Sequence, residues 1–219
     1  MKKYLEILKK CPLFDRVEEE SLLRMLNCLG GKVVSFDKKY TVFAEGSRAK
    51  YIGILLSGAL QIVQLDYYGN RNILSAITPG EVFAEAFACA EIESLPVTVV
   101  ADEPSEVMLI ESSHILHTCS NNCGFHQQLI YNLMKDLAAK TIMFHERIDV
   151  TSKRTTREKL LAYLNNQSRR AGGGEFDIPF DRQELADYLE VDRSGLSVEI
   201  GKLRREGVIE CRKNHFVMI

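Results

Sequence analysis

Five residues with metal-ligating side chains, His114, His117, Cys119, Cys123 and His126, fall within thirteen positions, and Cys89 precedes them. Imidazole and thiolate are the donors that zinc, iron or haem take up. The order H-x2-H-x-C-x3-C-x2-H matches no closed zinc pattern, so no metal ligand is assigned. Three readings of the cluster stand side by side: a metal or haem centre, thiols open to oxidation, or a half-buried segment joining two elements. Enzymatic chemistry has less footing. No phosphate-binding G-x-x-x-x-G-K-[ST], no G-x-S-x-G, no H-E-x-x-H and no dinucleotide fingerprint occurs. Carboxylates are numerous, but no spacing pairs them. The chain is expected not to be an enzyme.

A second constellation is RQELADYLEVDRSGLSVEIGKLRREG, Arg182 to Gly207. Asp181 is placed to cap a helix, with Glu184 three residues on to close a capping box. Leu185, Ala186 and Leu189 give that helix an inner face. The chain breaks at Glu190-Val191-Asp192, and Asp192 caps a second helix whose Leu196, Ile200 and Leu203 face inward. Gly207 stands where a glycine ends a helix. Two short helices with a small residue at their crossing are helix-turn-helix geometry. In that geometry the second helix enters the DNA major groove. A helical hairpin in another kind of domain has the same apolar pattern, and the turn position that is often glycine is Glu190. Strands expected at 208–211 and 215–219, around the Arg212–Asn214 turn, would form a wing.

The elements that position these residues change along the chain. Residues 4–28 carry helical periodicity broken at Pro12. From about 32 to 111, short β-rich runs (Lys32–Phe36, Tyr51–Leu56, Ala59–Leu65, Val97–Val100) alternate with turn signals at Gly46, Ser57-Gly58, Gly69-Asn70 and Pro79-Gly80, as in a rolled antiparallel β domain. Over 122–150, Ile130, Leu133, Leu137, Thr141, Phe144 and Ile148 recur at spacings of 3, 4, 4, 3 and 4, the seam of a long helix. Its partner is either the same helix of a second chain or the chain's own β domain; the length favours the former. A further helix is expected over 154–167, then a loop at 171–175.

Composition bounds the rest. The 219 residues are 46% hydrophobic and 26% charged, enough for one large or two modest domains. The net charge of −2 gives no bulk argument for nucleic acid. Residues 151–219 alone hold 13 Lys and Arg against 11 Asp and Glu, a weak basic bias at the helical-hairpin end. No apolar run approaches the roughly 18 residues of a membrane span, and MKKYLEILKKCPLF lacks the apolar core of a signal peptide. The expected location is cytoplasmic, with the six cysteines reduced.

Arg182-Gln183-Glu184-Leu185-Ala186, Asp192-Arg193-Ser194 and Leu203…Glu206-Gly207-Val208-Ile209 resemble the winged helix of the catabolite activator/fumarate-nitrate reductase (CRP/FNR) regulators. YIGILLSGALQIVQLDYYGNRNILSAITPGEVFAEAFAC resembles that family's cyclic-nucleotide-type sensor roll. The order roll, dimer helix, winged helix is the family's, over nearly the whole chain. The resemblance implies an α+β fold: a β-roll sensor with N-terminal helices (1–121), a dimerisation helix (122–150) and a winged helix-turn-helix (151–219). It implies an effector-responsive homodimer that binds double-stranded DNA at a two-fold symmetric operator, with RNA polymerase and a small-molecule effector as partners and no membrane.

Carried over by position, Arg182 and Gln183 hold phosphates, and Arg193 and Ser194 meet base edges; Arg193 suits a guanine. Ser197 reaches phosphate. Gly195 and Val198 stand where many members carry longer base-reading side chains, so the operator need not be a familiar one. Lys202, Arg204 and Arg205 are backbone contacts or a solvated face. Arg154 and Thr155, in the run Lys153–Arg157, are phosphate contacts or a plain helix start. Dimer contacts fall to Ile130, Leu133, Leu137, Phe144 and Ile148. The effector pocket falls to Phe83, Ala84, Glu85, Ala86, Leu95, Pro96 and Leu133.

That pocket departs from the cyclic-nucleotide members. Glu85 keeps the carboxylate that receives a ribose hydroxyl, but Ala84 replaces a glycine, and Leu95-Pro96 fall near the place of the Arg-Ser pair that holds the phosphate. From Asn72 through Met134 there is no Lys or Arg. A buried phosphate needs a cation or well-aimed backbone donors; the cation would have to come from elsewhere, such as Arg71 or Lys135. Cyclic AMP is therefore not the expected effector. A neutral or apolar ligand suits the lining, and the cofactor is unassigned. The iron–sulfur cluster of oxygen-sensing members is not expected either, since the N-terminal region offers Cys11 and Cys28 alone. Two alternatives stay open: a redox- or metal-responsive DNA binder with a vestigial pocket, and a dimeric ligand-binding module whose winged helix contacts protein.

Overall fold

The computed structural model describes residues 2–65, 71–117 and 125–219. The expected Gly69-Asn70 turn, Cys119, Cys123 and the first residues of the 122–150 helix lie outside them. The chain divides into two compact units, Met1–Ala138 and Ala139–Ile219.

The first unit opens with short helical pieces: a 3-10 turn at Lys2–Tyr4, α1 (Leu5–Leu8), a second 3-10 turn at Pro12–Phe14, and α2 (Glu19–Cys28). Among the described residues eight strands follow: β1 (Lys32–Phe36), β2 (Thr41–Phe43), β3 (Tyr51–Ser57), β4 (Leu60–Leu65), β5 (Arg71–Ile77), β6 (Val82–Phe83), β7 (Thr98–Ala101) and β8 (Ser105–Glu111). Helix α3 (Glu85–Cys89) lies between β6 and β7, and α4 (Ser112–Leu116) follows β8. The strands form two four-stranded antiparallel sheets, β1-β8-β3-β6 and β2-β7-β4-β5.

β3 reads YIGILLS and is buried at every interior position, because it is covered on both faces. Ile52, Ile54 and Leu56 join the N-terminal helices in one core cluster. Leu55, on the opposite face, packs with Leu60, Phe83, Val99 and Val107 in the other. β7 alternates buried and half-buried residues, as a strand covered on one side does. Glu106 ties the N-terminus to the sheet. It accepts hydrogen bonds from Tyr4 (2.7 Å), Lys3 (2.9 Å) and Ser57 (3.3 Å), which hold its carboxyl below the usual carboxylate range.

Helix α5 (Phe125–Thr151) crosses the boundary between the units. The second unit continues with α6 (Thr156–Ala171), β9 (Glu175–Asp177), α7 (Arg182–Leu189), α8 (Arg193–Arg205), β10 (Ile209–Arg212) and β11 (His215–Met218). Its three strands form an antiparallel sheet in the order β10-β11-β9. Leu160, Tyr163, Leu164, Leu185, Ala186, Leu196, Leu203 and Phe216 fill its core. Among the described residues no helix is long and apolar enough to cross a membrane.

The expected seam of α5 divides. Leu133 is only 2% exposed and packs, with Leu137, into the core of the first unit, and Ile130 is half-buried. Phe144 and Ile148 are 63% and 62% exposed. The assignment of Leu133 to an open dimer seam is thus corrected: a 3-4 apolar repeat reads the same whether the covering surface belongs to the chain's own domain or to another helix. The exposed apolar residues of the first half, Tyr131 and Met134, stand one position further on, and Ile142 and Met143 are exposed in the second half.

Candidate nucleic-acid interface

The helix pair α7–α8 is built by local side-chain chemistry. Asp181 Oδ1 accepts from the Glu184 amide (2.8 Å), and Glu184 Oε2 accepts in return from the Asp181 amide (2.7 Å). This is the expected capping box. Asp192 Oδ2 accepts from the Gly195 amide (2.7 Å) and from the Ser194 hydroxyl, starting α8. These bonds, the Ser194 hydroxyl foremost, hold the Asp192 carboxyl below its ordinary range.

The turn between the helices closes with a paired backbone motif. The Val191 amide donates to Ala186 O (3.0 Å) and the Glu190 amide to Asp187 O (3.2 Å). The motif needs a left-handed residue, and Glu190 takes it (φ 53°). Lys159 supports this strained residue by donating to the carbonyls of Leu189 (3.1 Å) and Glu190 (3.3 Å). Arg147 lies 4.0 Å from the Glu190 carboxylate and over the Tyr188 ring. The same motif ends α8, where Gly207 (φ 71°) supplies the left-handed residue without strain.

Leu196, Ile200 and Leu203 turn α8 inward. Arg193, Ser194 and Val198 are exposed. Ser194 donates to its N-cap Asp192, and Ser197 donates to the Arg193 carbonyl (2.9 Å), so both hydroxyls have partners within four residues. Lys202 pairs with Glu199 (3.1 Å) and Gln183 donates to Asp187 (2.8 Å). Arg182 donates to the Lys213 carbonyl (3.4 Å) and lies over the Phe216 ring, tying α7 to the wing. Thr155 is the N-cap of α6 in a capping box with Glu158, which meets the helix-start reading of that residue. Arg154 is exposed beside it. An open groove between α8 and the wing is lined by Gly201, Arg204, Arg205, Arg212 and His215.

Sequence reasoning placed Arg157 in a basic run of phosphate contacts or helix start and missed its ion pairs. Arg157 pairs with Glu206 and with Glu199 (3.3 Å), joining α6 to α8, and this holds the Glu206 carboxyl down. These partners lie 49 and 42 positions away. No local pattern announces them.

The roll residues assigned to an effector are less gathered. Phe83 (2% exposed) fills the space between the sheets against Phe43 and against Gly53, where a Cβ would sit 2.2 Å from its ring. Ala84 adopts the left-handed conformation (φ 60°) just before α3, and Glu85 is buried at 5% exposure. Ala86 and Pro96 are exposed. Leu95 is buried, exchanging backbone hydrogen bonds with the Gly46–Ser47 turn (2.9 and 2.8 Å). Leu133 belongs to the helical core cluster, which also takes in Val82 and Ala88, whereas Phe83 and Ala84 belong to the cluster between the sheets. Lys135, a candidate cation, lies 3.8 Å from Asp15.

Of the His/Cys cluster, His114 Nδ1 donates to Leu29 O (2.9 Å) and His126 Nε2 to His114 O (3.1 Å), while His117 is exposed. The first bond ties α4 to the end of α2, and the second ties α4 to α5. Among the described residues no group of three or more His, Cys, Asp or Glu side chains is placed to share a metal ion.

Residues 33–122 match the family of cyclic nucleotide-binding domains, and residues 158–219 match the Crp-like helix-turn-helix domain. The chain belongs to the CRP/FNR family. It is a transcription regulator with that family's helix-turn-helix DNA-binding domain, in a family of regulators rather than enzymes. It is 22% identical over 200 residues to the transcriptional activator FnrL of Cereibacter sphaeroides, covering 84% of this chain and 75% of that protein. It superimposes on the catabolite activator protein of Thermus thermophilus with a TM-score of 0.56 at 21% identity, over 95% of this chain and 93% of that one. For DNR of Pseudomonas aeruginosa the values are 0.52, 22%, 100% and 95%. At such identities the structural likeness establishes the fold.

Proposed function

We propose that this CRP/FNR regulator acts as a homodimer that binds a two-fold symmetric operator in double-stranded DNA and responds to a small-molecule effector in its roll. The observation that carries the dimer is the exposed apolar surface of α5. Tyr131, Met134, Ile142, Met143, Phe144 and Ile148 are all about 60% exposed on one helix. Such a density of bare apolar side chains marks an interaction surface.

In this reading, Arg193 and Ser194 meet base edges, and Arg193 takes a guanine in a bidentate contact. Arg182, Gln183, Ser197, Lys202, Arg154 and Thr155 fall to the phosphates. Ser197 and Thr155 would have to exchange or share their present partners. The effector would shift the population between two packings of the paired α5 helices. Two recognition helices enter successive major grooves only when about 34–36 Å apart. Small changes in helix packing therefore switch binding. The effector itself is not cyclic AMP in this account: residues 72–134 contain no Lys or Arg to take its phosphate. RNA polymerase is the partner on which a bound regulator acts, and the cytoplasm is where it would do so.

Sedimentation of the protein and of its Phe144→Glu/Ile148→Glu variant tests the dimer. The expected result is a dimer that becomes a monomer in the variant, with loss of operator binding. A monomeric wild-type protein that binds DNA at full strength would contradict the reading.

A further inference from the structure

Val198 is 57% exposed, and within residues 156–219 the only other large hydrophobic side chain so exposed is the terminal Ile219. It sits in the middle of α8, on the side away from Leu196, Ile200 and Leu203. At 100° per residue, Ser194, Val198, Gly201 and Arg205 share that outer line. A β-branched residue is a poor choice for a solvated helix surface, where it loses side-chain freedom and covers nothing. Gly201 is another poor choice, and packing does not call for it: a Cβ there would meet no atom within 4 Å. The outer line of α8 is thus low, with one apolar knob.

We propose that Val198 packs against the C5 methyl group of a thymine in the major groove, making that thymine a fixed position of each half-site. This rests on α8 being the recognition helix. Thymine alone presents a methyl group in that groove. Adenine, guanine and cytosine would each place a polar group against the valine and leave it without a partner. The absence of a side chain at Gly201 lets the helix backbone approach closely enough for so short a side chain to reach. Five residues separate Val198 from Arg193, a rise of about 7.5 Å. The thymine therefore lies within a few base pairs of the guanine that Arg193 faces, in the same half-site.

The test removes single methyl groups from the DNA. Operators enriched from random duplex are remade with deoxyuridine in place of each thymine in turn. At one thymine per half-site the loss should weaken binding about four-fold, the worth of one buried methyl. In Val198→Ala the same replacement should cost nothing. Conversely, 5-methylcytosine at that position should bind the wild-type protein more tightly than cytosine does, by a similar factor, and the Ala variant should not distinguish the two. Val198 is exposed and alanine is the better helix former, so the variant should unfold at the parent's temperature or slightly above it. A half-site in which no thymine is sensitive to methyl removal, or a sensitivity that persists in Val198→Ala, overturns the assignment while leaving DNA binding intact. No enriched sequence even when cell extract supplies an effector overturns the DNA-binding reading and this one with it.

Discussion

The two units hold their polar groups in different ways. In the winged-helix unit, most bonds around α7 and α8 close within a few residues: Asp181 with Glu184, Gln183 with Asp187, Asp192 with Gly195, Ser197 with Arg193. In the roll they reach across the chain. Tyr4 meets Glu106, 102 positions on; His114 meets Leu29, 85 positions back; and buried Asn132 donates to Leu13 O (3.0 Å) and Asp15 O (2.8 Å). A surface set by local bonds leaves its outer positions free to differ between relatives. A core set by distant bonds fixes its neighbours together, so one change there has a larger cost.

The sharpest way to break that contrast is to cut one bond of each kind. Asn132→Leu takes the donor from the buried Leu13 carbonyl and the half-buried Asp15 carbonyl and should destabilise the first unit by about 1–3 kcal/mol, whereas Gln183→Ala should stay within about 0.5 kcal/mol. Urea unfolding of both variants decides this, and equal effects would erase the distinction. Next in size, Arg193→Ala should weaken specific binding by about 1–3 kcal/mol and relax a single base position, read by titration against single-site operator variants. Weakening that is uniform across sequences would place Arg193 on the backbone.

A smaller effect is expected at the turn. α6, α7 and α8 end in the same hydrogen-bonded motif, with Gly172, Glu190 and Gly207 as the left-handed residue. Glu190→Gly relieves the left-handed strain and loses an exposed ion pair with Arg147 worth little. The variant should be more stable by about 1 kcal/mol, visible in its melting temperature. Smallest is the acid response of Asp192. Its folded carboxyl lies below the ordinary 3.8, so its support of α8 is full above that pH and fades as pH falls through the lower folded value. Asp192→Asn should flatten this part of the acid unfolding curve; an unchanged curve would show that the cap does not contribute.

The sequence was most legible where the physics is local. Asp181, Glu184, Asp192 and Gly207 mark helix ends by rules that span three or four residues, and they do so in the structure. Strand β1 coincides with the expected Lys32–Phe36, and β7 begins one residue later than expected. Periodicity located α5 but left open what covers each part of it. Leu133 and Leu137 turn out to serve the chain's own core, whereas Phe144 and Ile148 stay bare. The Arg157 ion pairs and the division of Leu133 and Phe83 between two core clusters depend on which distant elements meet. No window of sequence carries that information.

Selection of binding sites from random duplex DNA by the purified protein, with and without cyclic AMP, tests the central claim most directly. The account predicts a palindrome whose half-sites lie one helical turn apart, about 10–10.5 base pairs centre to centre, with an affinity indifferent to the nucleotide. Enrichment of a lone half-site, a site formed only with cyclic AMP, or no site even when cell extract supplies an effector would contradict it.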